Sequence, residues 1–516
     1  MTTYEVEDYS VSNLGARLNR HSHQGEGYSE AKSHLSYFDE YFSSVGAKTI
    51  LTERPYTDRD YLEDYAAYYA RCHAEYGRRC ARLHFFSRGF DTTLISKAIE
   101  GDAAAVDTLK TSYLGFVVVK PLPSTVIGRT CLVTYGNVGR DRAFPTTRTY
   151  TVHIFGIELT VQSLPFQEQD TDVAACATSA LWSVFNATGH LFQHHIPSPA
   201  EITKAAASSQ RLVNRTLPAG DGLTAEQMAD AIRSVSLEPL YINAKNLELL
   251  LISACAYLRA KIPCLLMGAI FECIPGTPRR RLGHHAIALA GFGVPKGPAV
   301  SYDTALFSAP STTRIYAHDD QVGPFSRLQI DRTQPYPLLT SWIDRNKNRG
   351  NVFFEPEILL VPLYHKIRVP ITSVISTIAA LDRWLETARK VKVLSLADQI
   401  EWDIVLTENS DFKSDVYRDT TIISGFRKAI LEDDLPRYLW RVSALSGGQR
   451  LFDLLFDATD LLQGGHITRG LPYSRAACLS IAVLAKNPAA QSYIKLTGNR
   501  GLEMALRWFA NNALVF

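Results

Sequence analysis

From Thr147 the chain reads TRTYTVHIFGIELTVQS, with apolar and polar side chains alternating at the period of a half-buried strand; the Phe-Gly in its middle predicts two strands. The same signal predicts strands in GFVVVKPLP, RTCLVTYG, IPCLLMGAIF and GHHAIALAGFG, each bounded by Gly or Pro. Helical spacing appears instead from Asp60 to about Leu83, in TLISKAIEGDAAAVDTLKTSYL, and in QEQDTDVAACATSALWSVFNATG, where Gly189 suits the position just past a helix end. LTAEQMADAIRSVS and NLELLLISACAYLRA are helical by the same test, as is the pattern beyond Trp342 down to GLEMALRWFANNALVF. The first thirty or so residues are polar and aperiodic, and no internal repeat occurs.

These elements predict an α+β protein of several domains, as 516 residues exceed one ordinary core. The expected division is a flexible tail over 1–35, a mixed α/β domain over 36–145, a central domain over 146–336 and a mainly helical domain over 337–516. Hydrophobic residues at 46% and charged residues at 21% exclude general disorder. The formal net charge of +2 gives no electrostatic reason to expect nucleic acid. The start shows no signal-peptide h-region and no run approaches a membrane span, so a cytoplasmic location is expected. Eight cysteines without C-x-x-C pairs predict neither a disulfide framework nor a zinc ribbon.

Among those cysteines, Cys176 falls near the start of a predicted helix, where unpaired N–H groups and the helix dipole favour an anion such as a thiolate. The pair His284 and His285 opens an alternating strand, so the two rings face opposite sides and at most one serves a given site. His285 shares its face with Ile287 and Leu289. An antiparallel return through RIYAHDDQVGPF brings Asp319 beside the start of that strand, able to orient one imidazole nitrogen while the other takes a thiol proton. Asp303 is the second choice for this acid. Asp320, third, is expected to face the other way.

These stretches carry a resemblance. GHHAIALAGFG resembles the His-Ala-Val-x-x-x-Gly-Tyr-Gly strand of papain-like cysteine peptidases. QDTDVAACATSAL is similar to the Gln-x-x-x-x-Asp-Cys-Gly-x-Ala stretch of the bacteriocin-leader peptidases on that fold. The order Gln, Cys, His, Asp matches, and LRAKIPCLLMGAIF stands where that family has a strand of the Gly-x-Pro-Val-Ile type. The resemblance covers roughly 146–336. It implies a papain-like core with a helix carrying the cysteine and an antiparallel sheet carrying histidine and acid. Cys176 is then the nucleophile, His285 the general base, Asp319 its orienter and Gln169 an oxyanion donor with the Cys176 N–H. The spacing from glutamine to cysteine is one residue longer than the family pattern, which leaves Gln167 as an alternative, and Ala175 and Ala177 replace the usual Asp and Gly.

Other signals point to structure. LSGGQR spells the signature of ABC-type ATPases, but no G-x-x-x-x-G-K-[ST] cradle accompanies it. His190 and His194 have a chelating i, i+4 spacing but lie in a stretch bracketed by Gly189 and Pro197. Arg279, Arg280 and Arg281 suit a solvated hairpin tip better than an anion site. The expectation is therefore a bacterial-type cysteine peptidase without cofactor or metal, acting on a protein or peptide substrate, with flanking regions available to a regulatory protein partner. The alternatives are an acyltransferase or deamidase using the same triad, or a silent scaffold of the same fold.

Overall fold

In the computed structural model the chain is described except for residues 1–3, 23–32, 124, 137–140, 171–175, 208–221, 343–350, 397, 462–466 and 513–516. It is an α+β protein, and its fold divides into two compact units, each built from separated stretches of chain. Among the described residues no helix is long and apolar enough to cross a membrane.

The first unit takes in residues 1–245, 261–293 and 313–362. Its N-terminal part is a five-stranded antiparallel sheet in the order Tyr4–Asp8, Thr49–Tyr56, Cys80–Phe86, Tyr113–Val119 and Ile127–Leu132. The expected tail is thus partly structure: Tyr4–Asp8 is an edge strand, and Val11–Ser22 is a helix that buries Leu14 and Leu18, four residues apart on one face. The helix expected over Asp60 to Leu83 runs only Arg59–Ala67. The residues from Cys80 form a strand buried along its whole length, so it lacks the alternation that marks a strand in sequence.

The second sheet of this unit closes on itself. Strands Cys264–Cys273, Arg280–Gly293, Arg314–Asp319, Gly323–Ile330, Leu338–Leu339 and Asn351–Tyr364 pair in that order, and the last pairs back to the first. The barrel therefore extends past 336, the expected end of the central domain. Helix Cys176–Phe192 packs on this sheet. In AIALAG the alternation is one of size: Ala286, Ala288 and Ala290 cluster with Ala177, Leu181 and Ala187 of the helix, and their small side chains let the helix lie close to the strand. Gly189 does not end this helix. A Cβ there would lie 2.4 Å from Ile196 Cγ1, so glycine serves a close approach, and Gln193 at φ +59 takes the left-handed position past Phe192.

The second unit comprises residues 246–260, 294–312 and 363–516. The region expected to be mainly helical contains the larger part of a six-stranded sheet ordered Val300–Tyr302, Ala305–Phe307, Glu401–Glu408, Tyr438–Ser446, Gln449–Asp457 and Ile467–Pro472. LSGGQR is a hairpin in this sheet. Ser446 pairs with Gln449 across Gly447 and Gly448, both at positive φ, which is what a two-residue hairpin loop demands. Beneath it Asp453, fully buried, is held by Arg441 and Arg450, each at 2.8 Å.

Candidate functional site

The cysteine, histidine and acid singled out in the sequence come together at one end of the barrel strands. The described part of the cysteine helix begins at Cys176, which is half-buried, and its side chain is within reach of the His285 ring, which it helps to hold charged. As the alternation predicts, His285 is buried while His284 is exposed beside Arg281 and Glu357. Opposite His285 on the neighbouring strand is Gly268. A Cβ there would fall 2.0 Å from the Glu355 carbonyl oxygen, so only glycine lets the strands meet at this point.

The strand pairing Ala288 with His318 brings Asp319 alongside the histidine. His285 Nε2 donates to Asp319 Oδ1 at 2.9 Å. Asp319 Oδ1 also accepts from the Gln321 backbone N–H at 3.0 Å, and Oδ2 accepts from Trp342 Nε1 at 2.8 Å. The Trp342 ring stands edge-on to the imidazole, with centroids 5.4 Å apart. With Nε2 engaged by the acid, Nδ1 is the nitrogen left for the thiol.

Asp320 departs from expectation. The strand ends at Asp319, so strict alternation no longer applies, and the turn carries Asp320 to the same side: its Oδ1 lies 3.6 Å from His285 Nε2. That oxygen is buried and accepts no hydrogen bond among the described residues, while Oδ2 accepts from Gln321 Nε2 at 3.0 Å. Asp303 is not part of the cluster. It sits at φ +47 in a hairpin of the second unit, half-exposed and 3.7 Å from Arg383.

The charges are coupled. Burial works against a charged imidazole, but Asp319, Asp320 and the Cys176 side chain outweigh it and hold His285 well above its ordinary range. Burial likewise opposes the Asp319 charge, and the imidazole together with the Trp342 and Gln321 donors holds that carboxyl below its usual value. Asp320, buried and beside the Asp319 charge, is raised to about 6. The site therefore favours an imidazolium beside one ionised acid, with a second acid that keeps its proton up to about pH 6.

Asp319, Asp320 and His285 are also the one group among the described residues whose His, Cys or carboxylate donor atoms all lie within 4.8 Å of one another. Two of the three are already committed, since Nε2 and both Asp319 oxygens are satisfied by hydrogen bonds. His190 and His194 form no such group: His190 is exposed, and His194 bonds Thr188 and the His195 carbonyl. Arg280 pairs with Glu272 at 2.7 Å and Arg279 lies over the Tyr336 ring, as a hairpin tip would have it.

Gln169 is half-buried between two fixed residues. Glu168 Oε2 accepts from the Val126 and Ile127 N–H groups, each at 3.1 Å, and Asp170 accepts from the Tyr69 hydroxyl. Gln167 is buried in the same stretch. Among the described residues no hydrogen bond joins either glutamine to Cys176, and the intervening 171–175, with Ala175, lie outside the described residues. Trp342 and His34, whose ring nitrogen Nε2 donates to the Asp320 carbonyl at 2.7 Å, are site residues that the sequence did not indicate. Trp342 stands outside any apolar run and His34 belongs to the stretch expected as a tail.

No protein-family model matches the chain, and no curated protein is similar to it in sequence.

Proposed function

We propose that this protein is a cysteine peptidase that cleaves a peptide or amide bond through Cys176, His285 and Asp319, on a papain-like core. The observation that carries it is the 2.9 Å bond from His285 Nε2 to Asp319 Oδ1, made by a ring that also has the Cys176 side chain within reach. In this arrangement His285 takes the thiol proton on Nδ1, Asp319 stabilises the imidazolium that results, and the Cys176 thiolate attacks the carbonyl carbon. The tetrahedral oxyanion needs preplaced donors, a role that the resemblance gives to the Cys176 backbone N–H and Gln169. Collapse of the intermediate passes the His285 proton to the leaving amine. Water, activated by the same imidazole, then releases the acyl group.

The imidazole and the acid are both buried. This strengthens their pairing, as the low dielectric that penalises a lone charge also deepens the attraction within a pair. The test is incubation of the protein and its Cys176→Ala variant with a mixture of unfolded polypeptides, read by mass. Cleaved chains formed only by the unsubstituted protein are the expected result. A one-dalton gain would reassign the site to deamidation, a cross-linked species to acyl transfer, and no product to a silent scaffold.

A further inference from the structure

The loop that carries Gln169 and the turn that carries Asp319 and Asp320 are far apart in sequence, yet a single buried ring faces both. His34 stands in the helix Ser33–Val45. Its Nε2 donates to the Asp320 carbonyl at 2.7 Å, and its Nδ1 lies 3.9 Å from Glu168 Oε1. Glu168 is the immediate neighbour of Gln169, and its other carboxylate oxygen is held by two backbone N–H groups. One turn further along the same helix, the Tyr37 hydroxyl donates to the Pro324 carbonyl at 2.5 Å. Tyr37 packs so closely on Gly323 that a Cβ there would meet the ring at 2.4 Å. The helix therefore grips the acid turn at Asp320, Gly323 and Pro324, and touches the glutamine loop through His34.

We propose that His34 is a positioning residue for the Cys176–His285 pair: it fixes the Asp320 backbone, and with it the Asp319 carboxylate that orients the imidazole. The proposal rests on the peptidase reading and adds to it that the N-terminal helix completes the site. The physical reason is geometric. Asp319 is the last residue of its strand and opens a tight turn, closed by the Val322 N–H to the Asp319 carbonyl at 2.9 Å. A carboxylate on such a turn holds a ring to a few tenths of an ångström only if the turn is tied down, and misplacement of about 1 Å costs on the order of a hundredfold in rate. His34 supplies that tie from a helix already anchored in the core by Phe38 and Phe42.

The experiment compares the full-length protein with His34→Gln, which keeps an N–H donor near the Nε2 position, and His34→Met, which fills similar volume without one. Iodoacetamide labelling of Cys176 is followed by mass across pH, beside His285→Ala and with each variant's thermal melt recorded. The expected result is a fall of about tenfold or more in Cys176 labelling near neutral pH for His34→Met, with labelling largely restored in His34→Gln. Equal labelling in the two variants, with the unsubstituted protein still dependent on His285, overturns the positioning role and leaves the peptidase reading standing. If labelling of the unsubstituted protein ignores His285→Ala, both fall. Should His34→Met fail to fold, His34→Asn, whose shorter side chain does not carry a donor to the Asp320 carbonyl, takes its place, and labelling equal to that of His34→Gln likewise overturns the proposal.

Discussion

Trp342 and Asp319 are joined by a 2.8 Å hydrogen bond from the indole Nε1 to Oδ2, the carboxylate oxygen that His285 does not use. The indole fixes the rotation of the acid while its ring edge covers the imidazole. Trp342→Phe keeps most of the cover and removes the donor. The expected outcome is a fall in Cys176 reactivity of about ten- to a hundredfold with a folded core, since a hydrogen bond to a charged group is worth about 1.5–3 kcal/mol net. Site-resolved alkylation together with a thermal melt checks it.

Asp320 gives a stability prediction whose sign follows from linkage. Its carboxyl is raised to about 6 from an ordinary 3.8, so between these values the folded state holds a proton that the unfolded state has lost. Stability is lost as pH rises through that window. Asp320→Asn removes the loss and is expected to be more stable than the unsubstituted protein at pH 7, by about 1–3 kcal/mol, with the difference vanishing below pH 4. Urea unfolding at the two pH values measures it.

His318 works in the opposite direction. It is fully enclosed, with Nε2 donating to the Leu164 carbonyl and Nδ1 accepting from the Phe325 N–H, and burial lowers it to about 3. His84 is lowered to about 4, also by burial. Unfolding lets both rings charge, so stability falls as pH drops below about 6.5. His318→Gln retains an acceptor and a donor without a titrating ring, and is expected to flatten that acid loss by about 2–4 kcal/mol between pH 6.5 and 4. A pH series of unfolding midpoints decides it.

Gly268 faces His285 across the strand pair, and no Cβ fits between it and the Glu355 carbonyl. Gly268→Ala must push two strands of the closed sheet apart. A destabilisation of about 2–4 kcal/mol is expected, with loss of Cys176 reactivity at temperatures where the fold survives. Thermal melts and site-resolved labelling measure both, beside Gly89→Ala, an exposed glycine whose Cβ would meet nothing within 4 Å, as the control for the substitution itself.

The geometry of the candidate site was legible in the sequence where the pattern is local. The alternation of GHHAIALAGFG put His284 and His285 on opposite sides, one exposed and one buried, and the hairpin return of RIYAHDDQVGPF put Asp319 rather than Asp303 beside His285. Alternation failed at Asp320 because that residue lies just beyond the strand, where a turn sets side-chain direction. Residues buried on both faces misled in another way: YLWRVSALS and LFDLLFD are strands without polar alternation, and Cys80–Phe86 is buried throughout, so periodicity alone cannot separate such runs from helix. His34 and Trp342 were not legible at all. Each meets the site through contacts distant in sequence, His34 across 286 positions to Asp320, and no spacing rule registers such pairs.

The most direct measurement is the rate of iodoacetamide labelling at each cysteine of the intact protein across pH, for the unsubstituted chain, Asp319→Asn and His285→Ala. Cys72, which is exposed, and Cys273, half-buried like Cys176, provide internal references, whereas burial raises Cys131, Cys255 and Cys478 to about 12. A thiol paired with His285 is expected to label at Cys176 well below the pH at which Cys72 reacts, and to lose that advantage in both variants. If Cys176 follows Cys72 at every pH, indifferent to His285 and Asp319, there is no ion pair and the peptidase assignment is wrong.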